Sequence, residues 1–400
     1  MATARPEDMR VIILLLFASL LWGQLGSLPL VPGVTVYLHD IVLFLLFSWT
    51  VYKTIVTKRA TLPMLVLPIL SFVAVAGVSL LLNRNRLPSS DILISSLYIV
   101  RWILYACLYG VVVQRIVPSR LWLWCLYGTG IGFALLGLAQ YILYPSLQNL
   151  SYLGWDPHYY RVFSSLLDPN FTGILLVLTL LLGVGFWETY ARSRVWIALG
   201  QIISFYTLLL TYSRSSFLAL IAGGIVWVFI RRQWRLAVLM MIFFVSIIPL
   251  LPQHGLDVLQ WNRKNTTVAR IGNWNKSILL IADSSIIGYG FNTLRYVQRE
   301  NDWVNDGLTI SKAAAGVDSS ILFIWATTGV IGFFAYGYIW YRAVRMAADP
   351  KKSRTPWGAV YFMSLVAIAV HSLFVNSAFY PWVLLWFWIL TGVVESIFDT

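Results

Sequence analysis

The stretch Thr211-Tyr212-Ser213-Arg214-Ser215-Ser216-Phe217-Leu218 sets one arginine between two strongly apolar segments, 195–212 and 216–230, with almost no loop between them. Two membrane spans joined this tightly form a helical hairpin, so Arg214 belongs at its tip, near one membrane face. Two readings of that position stand. An interfacial arginine can simply snorkel, laying its methylenes along apolar neighbours with its head in water. A guanidinium held at a hairpin tip also presents a rigid fork of donors that matches phosphate or carboxylate.

Composition supports the spans. Of 400 residues, 59% are hydrophobic and only 11% charged, with a mean hydropathy of +0.76. Soluble domains carry about 25% charged residues, so the pattern is that of an all-α polytopic membrane protein. The net charge of +13 would suggest nucleic acid in a soluble chain. Here the basic residues fall mostly in short loops between spans, so topology accounts for them and no nucleic-acid partner is expected. Cys107 and Cys125 both lie in apolar segments and offer neither a disulfide framework nor a zinc site. The 19 Trp and 21 Tyr suit a chain with many rings at membrane interfaces. Arg5 and Arg10 before an apolar run resemble a signal peptide, but no clean cleavage site follows, and the run reads as a retained first span.

Spans of about 20 apolar residues are expected at 11–30, 35–56, 63–83, 92–114, 120–144, 169–187, 195–213, 215–230, 236–252, 318–341, 357–374 and 380–397. With both termini inside, 17 of the 29 Lys and Arg fall in short inner segments, which favours a cytoplasmic location for both ends. Segments 84–91, 145–168 and 253–317 then lie outside. The last is far longer than an ordinary connection and is expected to fold and work. Within it Val268, Ile271, Trp274, Ile278 and Ile281 recur at three- and four-residue spacing, which predicts an amphipathic helix with Arg270 near its start. No internal repeat or separate soluble domain is legible, so 1–400 reads as one membrane domain.

Arg101 lies well inside the fourth span, where a charge normally faces a cavity or a partner. Asp40, a turn or so into the second span, could be that partner. Asp168-Pro169 opens the sixth span as an N-cap followed by Pro at the first helical position. Asp318 opens the tenth span. It reads as another N-cap, or, being on the same face as Arg214 and Arg270, as a base beside an anion site. His371 reads as a hydrogen-bonded packing residue or a proton carrier. Neither an Asp-x-Asp nor a His/Cys metal spacing occurs in the outer segments, so a phosphate site there would neutralise charge with arginine alone. Gly288-Tyr289-Gly290 is a turn signal.

Several stretches in order resemble the superfamily of O-antigen ligases and Wzy-type O-antigen polymerases. They are Arg161-Val162-Phe163 through Asp168-Pro169-Asn170, Thr211-Tyr212-Ser213-Arg214, and Ala269-Arg270 through Trp274. Gly288-Tyr289-Gly290-Phe291-Asn292 and Asp318-Ser319-Ser320-Ile321-Leu322 through Gly332 continue the series. The resemblance implies a GT-C-like bundle in the bacterial inner membrane, and a glycosyltransferase that uses no metal or cofactor. It would take a glycan from an undecaprenyl-pyrophosphate carrier at the periplasmic face. The acceptor is a second lipid-linked repeat unit for a polymerase, or the lipid A core for a ligase. Arg214 and Arg270 match the arginines implied to hold pyrophosphate. Ligases carry a histidine where this chain has Asp318, which favours polymerase and would bring a chain-length regulator as a further partner. Arg161 and Arg295 are candidates for binding the glycan, as is Arg299, although simple solvation also explains each. Arg101 and Asp40 complete the expected substrate-binding set.

Two readings from other classes remain. A lipid-linked oligosaccharide flippase would use Arg101 and Asp40 to mark a substrate path and would show two related halves. A non-catalytic scaffold would leave the arginines on one face without a purpose.

Overall fold

Pro169–Thr189 is apolar on every face, and such a helix has to be surrounded by others. It is: Ile174 through Leu178 are all fully buried. Around it the computed structural model describes residues 6–31, 33–58, 61–235, 264–301, 303 and 316–398. The span expected at 236–252 lies outside the described residues, as do 253–263 and 304–315 of the long segment.

The described helices, in chain order, are α1 (Pro6–Leu20), α2 (Leu38–Thr57), α3 (Val66–Leu82), α4 (Ser89–Val113), α5 (Ser119–Leu143), α6 (Pro169–Thr189), α7 (Arg194–Thr211) and α8 (Arg214–Arg231). After the undescribed stretch come α9 (Lys264–Asp283), α10 (Leu294–Glu300), α11 (Ser320–Ala347), α12 (Pro356–Ser372) and α13 (Pro381–Phe398). Seven of them are long and apolar enough to cross a membrane, and α3, α12 and α13 are shorter apolar helices. The chain is a predominantly helical, multi-pass membrane protein. α6 packs against α5, α7, α8 and α12, α8 lies along α12, α13 along α4, and α3 along α11.

The first expected span is shorter than its apolar run. α1 ends at Leu20, and an antiparallel hairpin of β1 (Ser27–Val31) and β2 (Val34–Tyr37) follows, with Ser27 opposite Tyr37 and Val31 opposite Val34. Gly23, Gly26 and Pro29 disfavour continued helix, and the branched Val31, Val34, Thr35 and Val36 favour strand. The second span therefore begins at Leu38.

α11 is broken inside the bundle. Gly329 has φ 65° and ψ −170°, and a Cβ there would lie 2.1 Å from the Ile286 carbonyl oxygen. The break receives the Gly288-Tyr289-Gly290 turn. Tyr289 N–H donates to Ala326 O (3.0 Å), Gly290 N–H to Thr327 O (2.8 Å), and Val330 N–H to Ser285 O (2.8 Å). From α3, Ser79 donates to Ile287 O and Thr327 O, and Asn83 to Gly288 O. Irregular backbone inside a membrane bundle survives only when its polar groups are satisfied in this way. Two short motifs far apart in sequence thus lock together and fix Phe291, Asn292 and α10 beside the N-terminal half of α11.

Candidate functional site

The α7–α8 junction is as tight as its sequence implies. α7 ends at Thr211, Tyr212 takes a left-handed conformation (φ 50°), Ser213 is the N-cap, and Arg214 opens α8. Beneath the junction is a buried polar network. Ser213 donates to Asn170 Oδ1 (2.9 Å) and accepts from Ser216 (2.9 Å). His371 Nε2 lies 3.1 Å and 3.2 Å from the hydroxyls of Ser215 and Ser216, and its Nδ1 lies 3.0 Å from Ser377 Oγ. Gly173 allows this approach, since a Cβ there would stand 2.3 Å from Ser216 Oγ. His371, fully buried, is thus a hydrogen-bonded packing residue that ties α12 to the turn carrying Arg214. Arg161 Nε donates to Thr211 O (2.9 Å) and Val162 N–H to Leu210 O (2.9 Å), so the 145–168 segment caps the last carbonyls of α7.

α9, the amphipathic helix expected with Arg270 near its start, supplies the next components from its polar face. Along it Arg270 and Asn273 are half-buried and Ser277 and Leu280 fully buried, whereas Ile271 and Ile278 from the apolar stripe are about half exposed (49% and 52%). In a membrane bundle the apolar face turns outward, and the polar face turns toward a cavity. Asn273 on that polar face donates to Gly316 O (2.9 Å) and accepts from the backbone N–H of Asp318 (3.2 Å). Asp318 is not the N-cap of α11; Ser319 holds that position, so the carboxyl of Asp318 is not committed to capping.

These elements open onto a cavity of about 1640 Å³. Arg161, Asp168, Arg214, Arg270 and Asp318 line one part of it, with Asp156 from the 145–168 segment. Burial raises the Asp318 carboxyl above its usual range, the nearby Arg270 guanidinium holds it partly down, and Asp168 raises it further. Asp156 is raised by burial, then by Asp168 and Asp318, with Arg161 opposing. Asp168 is raised by burial but opposed by the N–H groups of Phe171 and Asn170, which it caps as the sequence predicts. Arg214 and Ser215, which open α8, line the same cavity, and the N-cap side chain of Ser213 takes up no N–H. The start of α8 and three guanidiniums, set against the carboxyls of Asp156, Asp168 and Asp318, give this part of the cavity donors for an anion. Asp318 is a half-buried carboxyl with a raised pKa, so it can exchange a proton closer to neutral pH. Among the described residues no group of three His, Cys, Asp or Glu side chains is arranged to hold a metal ion.

A second constellation lines the same cavity. Arg101, midway along α4, pairs with Asp40 and also donates to Thr35 O. Asp40 further accepts from Tyr105 (2.9 Å) and from the backbone N–H of Tyr37 (2.9 Å). Asp40 itself stands behind Arg101 and does not line the cavity. Arg295, on α10, faces the Tyr98 ring with its guanidinium carbon 6.0 Å from the centroid. Arg299 points elsewhere and pairs with Asp91 (3.0 Å). Tyr380 stands between the two constellations: it stacks on Phe171 (3.7 Å between centroids), and Gln24 links its hydroxyl to that of Tyr37.

Six of the eight binding or catalytic candidates named from the sequence therefore share one cavity, Asp40 supports it through Arg101, and Arg299 lies outside its lining, paired with Asp91. Asp156, Asn273, Gln298 and the serine–histidine network went unrecognised. Asp156 sits in the outer 145–168 segment, five residues before the Arg161 motif, and Asn273 lies three residues after Arg270 on the same helical face.

A family model described as O-antigen ligase matches residues 199–337, from the first turns of α7 through Arg214, Arg270 and Asp318 into the second half of α11. An O-antigen ligase of Salmonella typhimurium (strain LT2) is 25% identical over 358 residues, 84% of this chain and 86% of its own. The two matches cover the ordered motifs and the helices that bring them together, and over those residues the chain is similar to O-antigen ligases.

Proposed function

We propose that the chain transfers a glycan from a polyprenyl-pyrophosphate carrier to an acceptor hydroxyl in the cavity lined by Arg214, Arg270 and Asp318, as an O-antigen ligase of the inner membrane whose acceptor is the lipid A core. The observation that carries this reading is the meeting of those three residues, from three elements distant in sequence, beside the N-terminus of α8. Arg214 and Arg270 hold the pyrophosphate and stabilise the charge that grows on its leaving oxygen. Asp318 takes the proton of the acceptor hydroxyl as that oxygen bonds to the anomeric carbon. The bond from that carbon to the carrier phosphate breaks, and the carrier leaves as its pyrophosphate. The cavity end of the bundle faces the periplasm in this reading, opposite the basic loops.

A second reading, polymerase, rests on Asp318 standing where ligases carry histidine; a chain-length regulator belongs to that reading alone. Purified protein incubated with a lipid-linked repeat unit, with and without lipid A core, separates the two. Transfer only when core is present is the outcome for a ligase, and a ladder from the repeat unit alone is the outcome for a polymerase. Neither product from well-folded protein would remove the glycosyl-transfer reading.

A further inference from the structure

The cavity is larger than one ligand needs. Pockets for single small molecules run about 300–1000 Å³, against about 1640 Å³ here. Its two constellations also differ in chemistry. Around Arg214 and Arg270, three guanidiniums and the start of α8 face the carboxyls of Asp156, Asp168 and Asp318. Around Arg101, the guanidinium is already paired with Asp40 behind it, which leaves it less charge to offer a second phosphate. What lines this part instead is a set of phenols and amides: Tyr37, Tyr98, Tyr105, Gln24 and Gln298, with Arg295 and Asn292 beside them.

Gln298 is the informative residue. It is 2% exposed, it lines the cavity, and its Oε1 has no hydrogen-bond partner among the described residues. A buried amide oxygen left unpaired is costly, and native proteins rarely leave one so without reason. A hydroxyl donor from a ligand would satisfy it. Arg295, half-buried, faces the Tyr98 ring and makes no ion pair among the described residues, whereas Arg101 and Arg299 have Asp40 and Asp91. One acceptor oxygen and a fork of donors, against aromatic walls and little net charge, suit a ligand that both donates and accepts many neutral hydrogen bonds.

We propose that the Arg101 part of the cavity is a sugar subsite that holds the acceptor glycan, with Gln298 Oε1 accepting from a ring hydroxyl and Arg295 donating to another. The Arg101–Asp40 pair acts as a positioning unit that fixes β2 and α4 as one wall. This assignment of the acceptor rests on the glycosyl-transfer reading; the sugar binding itself does not.

The test is equilibrium binding to the full-length protein in detergent, by isothermal titration, so that no transfer is required. The probes are delipidated core oligosaccharide and the repeat-unit oligosaccharide freed of its carrier. At least one is expected to bind saturably. Gln298→Leu, which keeps the buried volume and removes the amide, and Arg295→Ala should each weaken that binding at least tenfold. Arg295→Lys should recover part of it. Arg214→Lys should leave it unchanged, and inorganic pyrophosphate should not compete. The proposal is overturned if neither oligosaccharide binds, if both variants bind as the wild type does, or if Arg214→Lys weakens binding equally. Sugar binding that survives in a protein with no transferase activity would sink the glycosyl-transfer reading and spare the subsite.

Discussion

At the scale of single residues, Arg214 is distinguished from an interfacial anchor by what fixes it. The Ser213–Ser216 turn is held by Asn170 and His371, so the guanidinium is presented from a rigid base. Arg214→Lys keeps the charge and loses the planar fork. A fall in transfer rate of roughly 10²–10³-fold is expected, the usual consequence of losing one preorganised donor to a developing oxyanion. Near-wild-type product at normal protein levels would return Arg214 to the anchor role. Asp318 gives a prediction in pH. Its folded carboxyl holds a proton to higher pH than the reference value of 3.8. Activity should therefore fall as pH drops through that raised pKa. Arg270→Ala removes the charge that holds it down, and should move the acidic limb of the residual activity to higher pH. A limb that stays in place would show that Asp318 is not the base. The same shift sets a sign for stability. Between the unfolded and folded pKa values the native state binds more protons, so this carboxyl's contribution to stability declines as pH rises through that window. Asp318→Asn should accordingly be inactive, yet at least as heat-stable as the wild type at neutral pH.

At the scale of elements, the existence of most helices was legible because runs of about 20 apolar residues have few alternatives in a bilayer. Orientation was less legible. The stripe Ile271, Trp274, Ile278 marks a helix, but a stripe has an inside only if the surrounding solvent is water. In lipid the rule inverts, and Arg270, Asn273 and Ser277 face inward while Ile271 and Ile278 stay exposed. Pairings across long sequence distances were not legible at all. Nothing local to Gly288-Tyr289-Gly290 says that its N–H groups fill the break at Gly329. That interlock makes Gly329 a sharp test. Its φ and ψ are nearly glycine-only, and an added Cβ would meet the Ile286 carbonyl at 2.1 Å. Gly329→Ala should cost about 1–3 kcal/mol from backbone conformation alone, and more from the clash. A marked loss of melting temperature in detergent is the expected reading. Gly337, with open space around its would-be Cβ, serves as the control, and Gly337→Ala should be nearly neutral. Equal behaviour of the two variants would refute the interlock.

At the scale of the whole molecule, the arrangement separates two kinds of positive charge. Arg101 and Arg161 of the cavity are held in place by Asp40 and by backbone carbonyls, whereas the arginines of the short loops are mostly exposed. Only the second kind obeys the positive-inside rule as usually counted, which is why the orientation could be argued from sequence while the site could not be counted out of the same residues. α11 connects the two populations. It begins beside Asp318 at the cavity and runs 28 residues, through the break at Gly329, to Ala347 just before Lys351. A span of that many residues is enough to cross the roughly 30 Å hydrocarbon core even when broken, so Asp318 and Lys351 are expected on opposite faces. Tyr152, 68% exposed in the same 145–168 segment as Arg161, belongs to the cavity side. In a protein with Cys107 and Cys125 replaced by serine, Tyr152→Cys should react with a membrane-impermeant maleimide in cells whose outer membrane alone is permeabilised. Lys351→Cys should react only after the inner membrane is opened as well. The opposite pattern would put the cavity in the cytoplasm, where a carrier-linked glycan already moved to the periplasm could not reach it, and the proposed reaction would fail with it.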